Sequence, residues 1–260
     1  MLLTLDVGNS QIFCGVHDGD ALKTTFRRTS SIRASSDEFG TFFRATLREN
    51  GIDPEQIDMT AICSVVPDAV HSLRNCFRKY FRFEPFVLQP GAKTGLKIRY
   101  RNPLEVGADK IANAIGALTR FPGRNLLIVD FGTATTLDHI GPDGAYLGGI
   151  IAPGVNLSLE ALVAAAAKLP RIAIEAPATD SVIGRTTESQ MLIGVYWGYV
   201  SMMEGLIARM KAEIGKPLTV VATGGLATLF QEQAHLFDRI EPDLTLNGLM
   251  HLYNQRKTII

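Results

Sequence analysis

Two stretches of the chain carry apolar runs that stop abruptly at an aspartate, with a glycine two positions later: Leu2-Leu3-Thr4-Leu5-Asp6-Val7-Gly8 and Leu126-Leu127-Ile128-Val129-Asp130-Phe131-Gly132. Runs of this length and composition predict buried strands. After the first, residues 12–29 read as a β-hairpin turning at Asp18-Gly19. Ser35 followed by Glu38 has capping-box spacing ahead of a helix that Gly51 is placed to end. Residues 59–66 form a β-branched run, and Pro67 suits the first turn of a helix through Phe81. Residues 83–89 suggest another strand, and residues 107–121 an apolar-faced helix ending near Pro122-Gly123. Three strands, then helix, strand, helix, strand, helix predict an α/β layer with a mixed sheet.

The pattern Leu-Leu-x-x-Asp-x-Gly occurs at both places, and each copy is followed by a second strand-like run and an Asp-Gly turn, Asp18-Gly19 and Asp143-Gly144. An internal repeat of this size predicts two related α/β domains, 1–118 and 119–260, divided near Leu118. Two such domains facing each other make a cleft with Asp6 and Asp130 at its walls.

Composition narrows the class. Of 260 residues 46% are hydrophobic and 20% charged, a globular balance. Lys+Arg and Asp+Glu both number 26, and no block of like charge points to nucleic acid or an anionic membrane; Arg27, Arg28 and Arg33 read as a solvated face. The opening residues lack the basic start of a signal peptide, and no apolar stretch approaches the roughly 18 residues of a membrane span. A cytoplasmic protein is expected. Cys14, Cys63 and Cys76 have no CxxC spacing, which disfavours a disulfide framework or zinc site.

Metal-assisted phosphoryl transfer is the chemistry that needs two Asp-x-Gly turns. Gly8 and Gly132 let backbone approach a polyphosphate, and Asn9, Ser10, Thr133, Thr135 and Thr136 offer hydrogen bonds to its oxygens. Asp6 and Asp130 are able to hold hard cations, directly or through water. A strand leads into Gly224-Gly225 and then a helix, where backbone passes flat beside a planar ring such as adenine. There is no GxGxxG followed by an acidic residue and no Walker GxxxxGK[ST], so the nucleotide is held another way.

These turns and the Gly-Gly element resemble the acetate and sugar kinase, heat-shock ATPase and actin superfamily, whose domains are duplicated ribonuclease-H-like folds. DVGNS from Asp6, the segment from Tyr100 to Ala117, VDFGTATTLD from Val129, the segment from Tyr146 to Pro170 and TGGLA from Thr223 together resemble type III pantothenate kinase over nearly the whole chain. The resemblance implies two ribonuclease-H-like domains with mixed central sheets facing a cleft. It implies transfer of the ATP γ-phosphoryl group to the primary hydroxyl of pantothenate, the first step of coenzyme A synthesis. Asp109 matches the catalytic aspartate, Asp6 with Asn9 and Ser10 the Mg-ATP loop, and Asp130 the site of a monovalent cation, K⁺ or NH₄⁺. Tyr100, Gly107, Ala108, Asp109 and Lys110 match the pantothenate segment. Thr187 matches a threonine reaching the pantothenate of the other subunit, which implies a homodimer with its site near the interface. Weak or absent feedback by coenzyme A follows from the same likeness.

Judged from the residues alone, Asp109 fits equally as a first-turn acidic residue favoured by the helix dipole, and Thr187 reads as a helix N-cap, which is compatible with the role the resemblance implies. Lys110 stands where the family commonly has arginine, keeping the charge but losing the planar fork; Ser10 replaces a frequent threonine and keeps the hydroxyl. Residues 183–215 predict a long helix, apolar on more than one side; it suits a core, but dimerisation against a second copy of the chain is the favoured reading. Two other classes stay open: a regulatory relative, whose expected mark is loss of an acidic site residue, and an ATPase driving a partner, for which no further domain follows the second repeat.

Overall fold

The computed structural model describes residues 1–31, 33–89, 91–178, 181–234 and 236–257, without the side chains at 232–234, 256 and 257, and its chain divides into two compact units. The first unit comprises Met1–Pro122, Gly144–Tyr146 and Asp243–Ile260, the second Gly123–Asp143 and Leu147–Pro242. This is not a single cut at 118, because the C-terminal segment returns to the first unit.

The first unit holds β1 (Leu2–Val7), β2 (Gln11–Asp18), β3 (Ala21–Thr29), α1 (Ser36–Glu49), β4 (Met59–Ser64), α2 (Pro67–Cys76), β5 (Phe86–Leu88), β6 (Lys97–Ile98) and α3 (Ala108–Arg120). Its main sheet runs β3-β2-β1-β4-β5, antiparallel through the hairpin and parallel from β1 to β5. β1 is central, so Leu2, Leu3, Leu5 and Val7 are all buried, as a strand covered on both faces requires. β3 at the edge alternates exposed and half-buried residues. The hairpin register pairs Asp18 with Ala21, so the turn is Gly19-Asp20, one residue later than the Asp-Gly dipeptide suggests; Gly19 supplies φ +60°. Ser35 and Glu38 form the reciprocal capping box, and Gly51 is left-handed just past α1. α2 starts at Pro67, and its continuation through Phe77–Phe81 widens into a π turn. Arg27 and Arg28 are not merely a solvated face: their guanidinium groups lie 3.7 Å over Phe13 and 4.5 Å over Phe39.

The second unit holds β7 (Leu126–Phe131), β8 (Ala134–Ile140), most of β9 (Ala145–Pro153), α4 (Val155–Ala165), α5 (Thr187–Ile214), β10 (Thr219–Gly224), α6 (Ala227–Ala234) and β11 (Arg239–Ile240). Its strands run β9-β8-β7-β10-β11, the same order as β3-β2-β1-β4-β5. The repeated Asp-x-Gly run occupies the central strand in both cases. Ala145 and Tyr146, at the start of β9, pair with β6 within the first unit. Gly215, left-handed at φ +61°, ends α5. α5 is long and apolar enough, by length and composition, to cross a membrane, contrary to the expectation from the sequence. Its Tyr196, Tyr199, Val200, Met203 and Ile207 are buried in the second unit's core, and Met191 is buried too.

α7 (Leu244–Lys257) packs along α3 in the first unit. Their backbones touch: a Cβ at Gly248 would overlap the Ala112 carbonyl, and one at Gly116 the Leu244 carbonyl. Thr245 Oγ1 donates a 2.6 Å hydrogen bond to Asn113 Oδ1 in this buried seam. Ala in place of a mid-helix Gly ordinarily gains up to about 1 kcal/mol; at 248 the steric overlap reverses the sign. Gly248→Ala is expected to lower stability by about 2 kcal/mol or more in chemical denaturation, as overpacked cores do.

Thr4 Oγ1 gives its proton to the Gly15 carbonyl at 3.1 Å, so it accepts from His17 Nε2 at 3.0 Å. This sets the tautomer and leaves the buried Nδ1 of His17 without a partner among the described residues. Burial lowers the His17 pKa from 6.5 to about 4. Between those values the unfolded chain binds the proton and the folded one does not, so this contribution to stability is complete above pH 6.5 and is lost as pH falls toward 4. Denaturation midpoints measured from pH 7 to 4 are expected to fall more steeply for the wild type than for His17→Gln.

Candidate active site

Asp6 is half-buried near the end of β1, where the strand leaves the sheet for the turn Gly8-Asn9-Ser10. The Gly8 amide donates to the Gln11 carbonyl at 3.0 Å, and Ser30, just past β3, ties the turn from the side through Ser30 Oγ to the Gly8 carbonyl and Ser30 N to the Ser10 carbonyl. Asn9 and Ser10 are exposed on this braced turn. Parallel register sets Asp6 beside Cys63 of β4, whose thiol donates to Asp6 Oδ1 at 3.3 Å.

Gly107 is the N-cap of α3, and Ala108, Asp109 and Lys110 form its first turn. Gly107 has no side-chain cap to offer; the Asp109 carboxylate folds back over it instead, so that a Cβ at 107 would overlap Asp109 Oδ1. Ala108 is buried, while Asp109 and Lys110 are half-buried. Burial first, then the negative charges of Asp6 and Asp109, raise the Cys63 thiol well above its ordinary pKa. Both carboxylates are therefore within electrostatic reach of one buried side chain. Tyr100 lies past β6 rather than within a strand, 42% exposed and edge-on to Tyr146 at 6.2 Å.

The second unit repeats the first turn. Asp130 is half-buried near the end of β7, and the Gly132 amide donates to the Ala134 carbonyl at 3.1 Å. Gly132 and Thr133 are exposed. The Gly154 amide donates to the Thr133 carbonyl at 3.1 Å, and a Cβ at 154 would overlap the backbone of Gly132 and Thr133. The start of α4 is thus fastened to this turn, a contact that the residues around Pro153-Gly154 signal only by the bare glycine.

Gly224, at φ +89°, faces the end of β7: a Cβ there would meet Phe131 backbone atoms at 2.6 Å and Asp130 Oδ1 at 2.7 Å. Its bareness makes room for Asp130, while Gly225 has open space around its Cβ position.

Thr135 departs from the loop. Hairpin register pairs Phe131 with Thr135 and Asp130 with Thr136, so Thr135 faces the core with Phe131. It is fully buried, and its hydroxyl has no partner among the described residues. Thr136 shares the Asp130 face and donates to Asp138 Oδ2 at 2.9 Å. Asp138, almost fully buried, is a carboxylate that the motif reading passed over; alternation along β8 from Thr136 would have found it. The N-cap of α5 is Thr186, in a capping box with Ser189, which leaves Thr187 exposed as the first helical residue. An open pocket of about 430 Å³ surrounds this helix start, lined by Arg171, Glu175, Thr186, Glu188 and Ser189 among others.

No group of three or more His, Cys, Asp or Glu able to cage a metal ion occurs among the described residues.

A model of the type III pantothenate kinase family matches residues 2–209. Type III pantothenate kinase of Sphingopyxis alaskensis is 63% identical over 256 residues, covering 98% of both chains. That of Rhizorhabdus wittichii is 53% identical over 259 residues, covering 99% of both. Among solved structures, a Campylobacter jejuni protein described as a Baf-family transcriptional activator has a TM-score of 0.60 at 17% identity, covering 98% of this chain and 99% of its own. The activator of 2-hydroxyisocaproyl-CoA dehydratase from Clostridium difficile, solved with ADPNP, has a TM-score of 0.54 at 12% identity, covering 100% and 97%. These structural likenesses show the actin-like fold built from duplicated ribonuclease-H-like domains.

The two threonines separate loop from core. Thr135→Val is expected to keep the KM for ATP at the wild-type value and to leave stability equal or higher, since it removes a buried unpartnered hydroxyl. Thr133→Val is expected to raise that KM. Steady-state kinetics and melting curves of both variants check this.

Proposed function

Because the chain belongs to the type III pantothenate kinase family, and so transfers the ATP γ-phosphoryl group to pantothenate in the first step of coenzyme A synthesis, we propose that Asp109 is its catalytic base. The observation that carries this is the placement of Asp109 in the first turn of α3, folded over the bare Gly107 and near the Asp6 carboxylate through Cys63. Asp109 takes the proton of the pantothenate hydroxyl as the new P–O bond forms and the bond to the β-phosphate breaks. Such a transfer needs little covalent help and much orientation and charge placement.

An ATP-dependent kinase works with a divalent metal such as Mg²⁺, which when bound neutralises phosphate charge. In this reading Asp6 holds it, directly or through water, and Gly8, Asn9 and Ser10 receive the phosphates. Gly132 and Thr133 serve the nucleotide from the second turn, with Gly224 and Gly225 on its adenosine side. Asp130 holds a monovalent cation, K⁺ or NH₄⁺; its half-buried place near the end of β7, beside the exposed Gly132-Thr133 turn, supports this. Tyr100, Gly107, Ala108 and Lys110 bind pantothenate. Thr187, exposed and free of the capping duty that Thr186 performs, reaches the pantothenate of a second copy of the chain.

That last role requires a homodimer. Exposed Leu147 and Ile151 on β9, exposed Leu157 and Leu162 on α4, and an α5 only a third buried along its most apolar stretch support an apolar face for a second copy. A cytoplasmic location goes with a soluble biosynthetic reaction fed by ATP.

The test is ATP-dependent phosphorylation of pantothenate in K⁺ and Na⁺ buffers, with Asp109→Asn alongside. Turnover is expected in K⁺ and to fall sharply in Na⁺, and Asp109→Asn is expected to lower kcat by about a thousandfold with little change in melting temperature. Equal rates in the two buffers would remove the cation role of Asp130, and a variant retaining wild-type kcat would remove Asp109 as base.

A further inference from the structure

Cys63 stands where no role has been assigned to it. It occupies β4 directly beside Asp6 in the parallel register, is fully buried, and donates its S–H to Asp6 Oδ1 at 3.3 Å. The other cysteines are not so placed. Cys14 pairs with Leu5 and so faces the opposite side of the sheet, and Cys76 lies at the end of α2.

A carboxylate near the end of a strand rotates about two side-chain bonds unless something selects one orientation. A buried donor on the neighbouring strand does so, and the selection costs nothing when ligand arrives. The thiol carries the donor and the carboxylate oxygen is the acceptor, which sets the direction of the hydrogen bond.

We propose that Cys63 is a positioning residue for Mg-ATP, its thiol holding the Asp6 carboxylate in the one orientation that serves the nucleotide's cation. This rests on the reading of Asp6 as the Mg-ATP carboxylate. The competing account is that Cys63 merely fills space between β4 and the helices above it, and the two accounts differ in what a side chain of similar size without a donor should do.

The experiment compares wild type, Cys63→Val, Cys63→Ser and Asp6→Asn by calorimetric binding of a non-hydrolysable ATP analogue with and without Mg²⁺, by KM for each substrate, and by melting temperature. Cys63→Val is expected to weaken binding of the Mg-bound analogue and raise the KM for Mg-ATP on the order of tenfold. Binding of the metal-free analogue and the KM for pantothenate are expected to hold. Cys63→Ser, which keeps a donor, is expected to recover most of the loss. Should Cys63→Val fail to fold, Cys63→Ala takes its place under the same criteria.

Wild-type binding by the valine variant overturns the proposal, as does equal weakening with and without Mg²⁺, or a serine variant as impaired as valine. If Asp6→Asn weakens Mg-dependent binding while Cys63→Val does not, only the role of Cys63 falls. If Asp6→Asn changes nothing, the reading of Asp6 fails and the inference goes with it.

Discussion

A carboxylate near the end of a strand buried on both faces has to stay hydrated, and each turn follows from how that is managed. β1 and β7 lie in the middle of their strand orders, with an antiparallel partner on one side and a parallel partner on the other. Apolar residues are required along their length, yet Asp6 and Asp130 sit near their ends, half-buried. The carboxyl end of a central strand is where the chain leaves in different directions on either side, so the sheet opens there and a polar group stays hydrated. A glycine two residues on closes each turn through its amide, Gly8 to Gln11 and Gly132 to Ala134. The two units thus repeat a solution to one electrostatic problem.

Bare backbone is the second recurring device, and its purpose is proximity more than flexibility. Gly107 leaves room for the Asp109 carboxylate, Gly224 for that of Asp130, and Gly154 for the turn of Gly132 and Thr133. In each case a methyl group would occupy the space of a carboxylate oxygen or of turn backbone. The seam between α3 and α7 uses the same means through Gly116 and Gly248, and it fixes the helix whose first turn presents Asp109. In the proposed reading of Asp109 as the base, rigid support of this kind keeps its carboxylate within the narrow tolerance that phosphoryl transfer demands.

Fold and activity rest on different grounds in this chain. At 17% and 12% identity, the solved structures share its architecture with proteins described as a transcriptional activator and a dehydratase activator, and an architecture that broad names no reaction. The activity follows from relatives 63% and 53% identical over almost the whole chain.

Local signals along the chain specify the repeat and much of the secondary structure. The capping box at Ser35, the proline opening α2, the glycines ending α1 and α5, and the twin Asp-x-Gly turns were all legible, because each signal depends on residues a few positions apart. The order of the strands within each sheet, and the contacts between distant elements, arise only on folding. Only the register of β8 against β7 shows that Thr135 faces the core while Thr136 and Asp138 face the other way, since a shift of one residue exchanges the two sets. Only the pairing of β1 with β4 brings Cys63 to Asp6, and only the return of α7 to α3 explains Gly116 and Gly248. These contacts join residues far apart in the chain, and no local periodicity encodes which distant segments meet; that is settled when whole elements bury their apolar faces together.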